Sequence, residues 1–234
     1  MRKIRVVWIV LACLCLLGSG HAAAQELFHG AYLAGFPDGS LRPEACVTRA
    51  ELAQILCRML PEETRRRAGD SESAFRDVPA QAWYEPAVCV MARLGLMLGG
   101  PDGRFRPEDG VTGEELSIIL ERIRAGAQKE GLLSALAGGW QAQEVSFAAG
   151  NGWVMGLHDG VFSPDKAITR AELAEIFNRI LGREPEKLED LLIGMPLFSD
   201  NLDTNAAYFL DLQEAAIDHT ADCSGTSERW TALG

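Results

Sequence analysis

Gly35-Phe36-Pro37-Asp38-Gly39, followed at a fixed distance by Val47-Thr48-Arg49-Ala50-Glu51-Leu52, decides the fold because the pattern occurs three times in register. Pro37-Asp38-Gly39 returns as Pro101-Asp102-Gly103 and, with His for Pro, as His158-Asp159-Gly160. Three residues after each Asp stands Leu41, Phe105 or Phe162; five after, Pro43, Pro107 or Pro164; nine after, Val47, Val111 or Ile168. Then Thr48, Thr112 and Thr169 align, as do Glu51, Glu115 and Glu172, Ile55, Ile119 and Ile176, and Arg58, Arg122 and Arg179. A period of this size marks stacked supersecondary units that bury a shared core.

Each unit reads as helix, turn, helix. Thr48 at N-cap with Glu51 three residues on is a capping box, in which each side chain satisfies the other's orphaned backbone N–H. The box recurs as Thr112 with Glu115 and as Thr169 with Glu172. Upstream, Trp83 and Trp140 each stand 19 residues before the turn Asp, and Val88, Ala92 and Gly95 match Val145, Ala149 and Gly152. This upstream stretch is a first helix ending at glycine. Unit one lacks such a helix, and Phe198-Ser199-Asp200 echoes Phe75-Arg76-Asp77, with Tyr208, Leu212 and Ala216 matching Tyr84, Val88 and Ala92. The far end of the chain is therefore expected to supply the missing helix and close onto unit one. The expected divisions are a signal segment 1–24, a partial repeat 29–60, full repeats 75–124 and 139–182, a closing helix 197–219 and a tail 220–234.

Composition narrows the function. The 234 residues carry 22 Lys and Arg against 33 Asp and Glu, with 47% hydrophobic residues, so the chain is a folding, acidic one. Its net charge of −11 argues against binding nucleic acid, which needs clustered cations. Arg2, Lys3 and Arg5 precede an apolar run from Val6 to Leu17 and then Ala22-Ala23-Ala24, the pattern of a cleaved secretory signal. The run is too short for a membrane span. Cleavage after Ala24 leaves 19 basic against 33 acidic residues, net −14. Lipidation at Cys13 is the lesser alternative. Cys46, Cys57, Cys89 and Cys223 remain, with no CxxC spacing and no paired Cys and His zinc pattern, so neither a zinc site nor any other metal or cofactor is expected. Cys57 and Cys89 occupy apolar helix positions, and their pairing is left open.

With Thr48-Arg49-Ala50-Glu51 and Thr169-Arg170-Ala171-Glu172 on capped helices, Phe75-Arg76-Asp77-Val78 upstream and three Gly-x-x-Asp-Gly turns, the chain resembles the S-layer homology (SLH) domain family from about residue 29 to 219. The resemblance implies a mainly α fold, three helix-turn-helix repeats in a pseudo-threefold spindle closed by a C-terminal helix. It also implies inter-repeat grooves that bind pyruvylated secondary cell wall polymer and anchor secreted proteins to the bacterial wall.

Carried over position by position, the candidate ligand-binding residues are Arg49, Arg170, Asp38, Asp102, Asp159, Trp83 and Trp140. An Arg in the first helical turn offers a planar fork to a carboxylate, and the helix start is expected to add free backbone donors and dipole. A turn Asp can accept from sugar hydroxyls, and a Trp face can cover a sugar ring. Each has a plainer use: Asp residues stabilise turns, Trp anchors cores, and Thr and Glu of the motif are caps. Unit two reads Thr112-Gly113-Glu114-Glu115, keeping its caps but replacing Arg by Gly113, so its groove is expected to be impaired. Ala207 stands where a matching Trp would, which weakens the closing groove.

The chain is thus expected to be a noncatalytic envelope-binding protein at the cell wall or cell surface. Its partners are an anionic glycan and, as a second class, other envelope proteins. The rival reading is an adaptor whose degenerate repeats bind protein instead of glycan. An enzyme is not expected: adjacent Glu114 and Glu115 point about 100° apart on a helix, and no nucleophile elbow or phosphate loop is present.

Overall fold

Residues 26–69, 73–127, 165–225 and 227–234 are described by a computed structural model. The signal segment, Trp140, Asp159 and the first half of the third repeat lie outside them. In chain order the elements are β1 (Glu26–His29), α1 (Arg49–Met59), α2 (Glu62–Gly69), α3 (Glu85–Arg93), α4 (Gly113–Ala127), α5 (Arg170–Leu181), α6 (Phe209–Ala216), β2 (His219–Asp222) and β3 (Arg229–Leu233). Among the described residues no helix is long and apolar enough to cross a membrane.

The capped helices α1 and α5 start as their sequence dictates. The Thr48 hydroxyl accepts from the Glu51 N–H at 3.2 Å while the Thr48 N–H donates to the Glu51 carboxylate at 2.9 Å. Thr169 and Glu172 repeat this at 3.2 and 2.7 Å. At α4 the Thr112 hydroxyl likewise accepts from the Glu115 N–H.

The β-branched residues before these caps meet in a closed ring. Val47 N–H donates to Ile168, Ile168 N–H to Val111, and Val111 N–H to Val47, each at 2.9 Å. All three side chains are buried in the main core. A cyclic exchange of this kind satisfies the backbone groups of three segments at once, where a two-strand pairing would leave one segment out.

The turns have matching requirements. Gly39 and Gly103 adopt φ of +79° and +71°, a region that disfavours side chains. Gly99 faces a different constraint, because a Cβ there would sit 2.3 Å from the Phe75 ring.

Phe198-Ser199-Asp200 does for unit one what Phe75-Arg76-Asp77 does for unit two. Asp77 accepts the Phe105 and Arg106 N–H groups, both at 2.8 Å, and Asp200 accepts those of Leu41 and Arg42, both at 2.7 Å. The Arg76 N–H donates to Gly103 and the Ser199 N–H to Gly39. At the end of α3, Leu96 and Met97 N–H donate to Met91; at the end of α6, Tyr32 and Leu33 N–H donate to Ala215, the aligned position. Helix α6 packs on α5 as α3 packs on α1.

Asp77→Ala is expected to lower stability by about 2 kcal/mol, since two hydrogen bonds to a charged acceptor are lost. Burial would raise the Asp77 pKa, but the Phe105 and Arg106 N–H groups hold it below 3.8. Its contribution is therefore complete above the unfolded pKa and is lost as pH falls through the lowered folded value. Urea midpoints at neutral and acidic pH check both statements, and a loss that grew on acidification would contradict them.

One segment differs from the sequence reading. The stretch read as a tail forms the β2–β3 hairpin, and β1 adds to it as an antiparallel third strand, order β1-β2-β3, with His29 opposite His219 and Ala221 opposite Trp230. The sheet covers a second small core of Leu191, Phe209, Ile217, Ala221 and Trp230, which Phe198 joins to the main one. The connector after repeat one includes a regular helix, α2.

Candidate functional site

Residues Glu51, Gln54, Ile55 and Arg58 lie at i, i+3, i+4 and i+7 of α1 and so share one face. That face, the loop from Tyr32 to Pro37, Trp83 ahead of α3 and Arg170 of α5 enclose a groove of about 560 Å³. Three repeats contribute to it.

Trp83 is 61% exposed and meets Tyr84 edge-on at 5.3 Å. The core-anchor reading therefore fails for Trp83, whose ring is exposed and lines the groove. The groove thus pairs an aromatic surface with polar groups that fix orientation, the usual make-up of a small-ligand site.

Arg170 and Arg49 are buried, and their forks hold the protein's own loops. Arg170 Nε donates to Leu41 at 2.5 Å, Nη2 to Ala34 at 2.6 Å, and Nη1 lies 3.5 Å from the Glu51 carboxylate. Arg49 repeats this one unit on: Nε to Phe105 at 2.7 Å, Nη2 to Leu98 at 3.0 Å, and Nη1 to Glu115. Each guanidinium also lies over an aromatic ring, Phe36 at 4.8 Å for Arg170 and Phe105 at 4.7 Å for Arg49. Burial holds Arg170 below its ordinary pKa, opposed by Glu51. Each arginine is thus a clamp between one helix start and the neighbouring repeat's turn. Gly113 has no side chain with which to make such a clamp.

The starts of α1 and α5 offer no free donors among the described residues, which corrects the sequence expectation. Arg49 and Ala50 N–H donate to Asp109 and Pro107, Arg170 and Ala171 N–H to Ala45 and Pro43, and the following N–H groups to their cap threonines. An adjacent repeat's turn fills the place an anion would take at an open helix N-terminus.

The turn aspartates act locally. Asp38 accepts from the Ser40 N–H and hydroxyl and pairs with Arg42 at 3.0 Å. Those partners, Ser40 foremost, draw its pKa down to about 2. Asp102 accepts from the Arg104 N–H and pairs with Arg106 at 3.0 Å. Trp140 and Asp159 fall outside the described residues.

Sequence reasoning did not single out Arg58 as a candidate. It is exposed on the groove face of α1 and makes no ion pair or hydrogen bond among the described residues, so its charge is available to a ligand. Its spacing seven residues after Glu51 was the signal that could have found it. Among the described residues Cys46, Cys57, Cys89 and Cys223 carry free thiols, Cys57 and Cys89 buried, and burial pushes both of these thiols up in pKa.

The sequence model of the S-layer homology domain matches residues 29–53, 74–117 and 137–174. The chain is 29% identical over 218 residues to cell surface glycoprotein 1 of Acetivibrio thermocellus, covering 88% of this chain and 9% of that protein. It is 28% identical over 199 residues to a cellulosome-anchoring protein of the same organism, 82% of this chain and 43% of the relative. A surface-layer 125 kDa protein of Lysinibacillus sphaericus is 28% identical over 173 residues, 70% of this chain and 14% of that protein. The chain therefore spans less than half the length of these relatives.

Proposed function

We propose that this chain, which belongs to the S-layer homology domain family, is a noncatalytic module that works at the bacterial cell surface by binding cell wall polymer. The proposed ligand is an anionic, pyruvylated glycan, and the proposed architecture is a pseudo-threefold spindle of three repeats closed by α6. The observation that carries this reading is the groove built from three repeats around exposed Trp83, with Arg58 as its available cation. A sugar ring stacked on Trp83 would place a carboxylate substituent toward Arg58, a charge-assisted contact suited to one acidic sugar unit. The cyclic ring of Val47, Val111 and Ile168 supports the threefold arrangement. Relatives named for the cell surface, the surface layer and anchoring support the location.

Arg49 and Arg170 shape the grooves in this reading by holding the turns that line them. The groove that would depend on Gly113 is the weakest in this reading, because that position has no side chain to clamp with and Glu114 adds a negative charge.

Cosedimentation with purified cell walls tests the proposal. The protein is expected to pellet with intact walls and to stay in solution once secondary polymer has been chemically removed. Failure to pellet at every salt concentration would overturn polymer binding and favour an adaptor that captures envelope proteins.

A further inference from the structure

His29 on β1, Glu214 on α6, His219 on β2 and Glu228 just before β3 come together, and none of the four lines the groove. One ligand atom from each lies within 4.8 Å of the others, and all four residues are buried. Among the described residues this is the only gathering of three or more such groups.

The internal geometry suits a cation. His29 Nδ1 stands 2.8 Å from Glu228 Oε1 and 3.3 Å from Glu214 Oε1, and His219 Nε2 stands 3.0 Å from Glu214 Oε2 and 3.1 Å from Glu228 Oε1. A tetrahedral ion with bonds of about 2.0–2.2 Å needs ligand atoms about 3.3 Å apart, close to these separations. The tautomer of His219 follows from its other contact. Nδ1 lies 2.8 Å from the Ile217 carbonyl, which can only accept, so Nδ1 carries a hydrogen and Nε2 turns toward two carboxylates. A neutral ring in that pose aims a lone pair at two anions, and only a proton or a metal ion relieves the repulsion. Backbone anchoring of the opposite nitrogen is how metal-bound histidines are oriented.

Two further observations bear on the cluster's unused acceptors and its order. Glu214 Oε1 and Glu228 Oε2 are buried without a hydrogen bond. Trp230 Nε1 donates to Glu214 Oε2 at 2.9 Å, and its ring stacks on His219 at 3.9 Å, so the cluster has an ordered outer layer. Without a cation, protons must supply the balance. Burial would lower both histidines, but Glu214 and Glu228 raise them, His219 to about 9.

We propose that His29, Glu214, His219 and Glu228 form a structural site for a divalent transition metal ion of the zinc class. Two imidazoles favour such an ion over calcium or magnesium, which prefer all-oxygen sites. Two carboxylates neutralise its charge, and no ligand position is left for chemistry. The ion ties β1 to α6 and the hairpin, joining segments up to 199 residues apart. Binding displaces the protons held by the cluster.

The test uses the whole protein, stripped with chelator and then titrated with Zn²⁺ and with Co²⁺ as a spectroscopic substitute. One equivalent should bind, with an intense tetrahedral Co²⁺ absorption, no thiolate charge-transfer band and a rise in Tm on adding Zn²⁺. His219→Gln and, separately, Glu228→Gln should each weaken binding at least tenfold. Absence of stoichiometric binding to wild type would overturn the site. A thiolate band, or a folded His219→Gln that binds like wild type, would overturn it too. If a variant does not fold, the wild-type stoichiometry and spectrum still decide. Wall binding is independent of this outcome.

Discussion

Trp83→Ala is expected to remove wall binding, weakening affinity by at least about tenfold (1.4 kcal/mol), while leaving stability within about 0.5 kcal/mol of wild type. The asymmetry follows from exposure: at 61% accessible, the ring contributes little to the core but presents its face to the groove. An aromatic face buried by a ligand carries much of a small site's energy, and alanine leaves nothing to stack on. Cosedimentation isotherms paired with thermal melts read both quantities on the same samples. Unchanged binding by a folded Trp83→Ala protein would show that the ring is not the platform.

Arg170→Ala is expected to cost about 3–5 kcal/mol of folding stability, the range for breaking a buried ion pair and stranding its partner. The stranded groups are the Leu41 and Ala34 carbonyls and the Glu51 carboxylate. Arg170→Lys should recover only part of this, because an ammonium is a single point and cannot span two carbonyls and a carboxylate as the planar fork does. Denaturant midpoints of the three proteins measure the loss, and a cost below about 1 kcal/mol for the alanine variant would refute the clamp. Loss of wall binding by this variant reports a slackened groove wall as much as a lost contact. Trp83 and Arg58 are the cleaner probes of the ligand.

Local chemistry made much of the fold legible. Thr48 with Glu51, and Thr169 with Glu172, announce helix starts because both partners lie within one turn, so no distant residue can change their meaning. The turn glycines are similarly local, since a positive φ at Gly39 or Gly103 is a property of the backbone there. Phe198 to Asp200 aligns with Phe75 to Asp77 in sequence, and in the structure Asp77 and Asp200 accept from equivalent N–H pairs.

The site was less legible. Arg49 and Arg170 sit at positions from which a fork can point outward to a ligand or inward to a neighbouring turn, and sequence spacing is the same in both cases. Their direction depends on carbonyls 49 to 136 residues away. Trp83 posed the converse problem, since a large aromatic ahead of an apolar helix usually faces the core. The hairpin escaped notice because its strands are four and five residues long and its partner β1 lies nearly two hundred residues earlier.

Sequence by itself determined the repeat, the capped helix starts, the turns and the family, because each depends on residues within a turn or two of one another. Tertiary structure alone decided which way the arginines face, that Trp83 and Arg58 border one groove, and that two histidines and two glutamates share one buried centre. Those outcomes depend on which segments desolvate each other, and burial couples groups by distance in space, where separation along the chain has no influence.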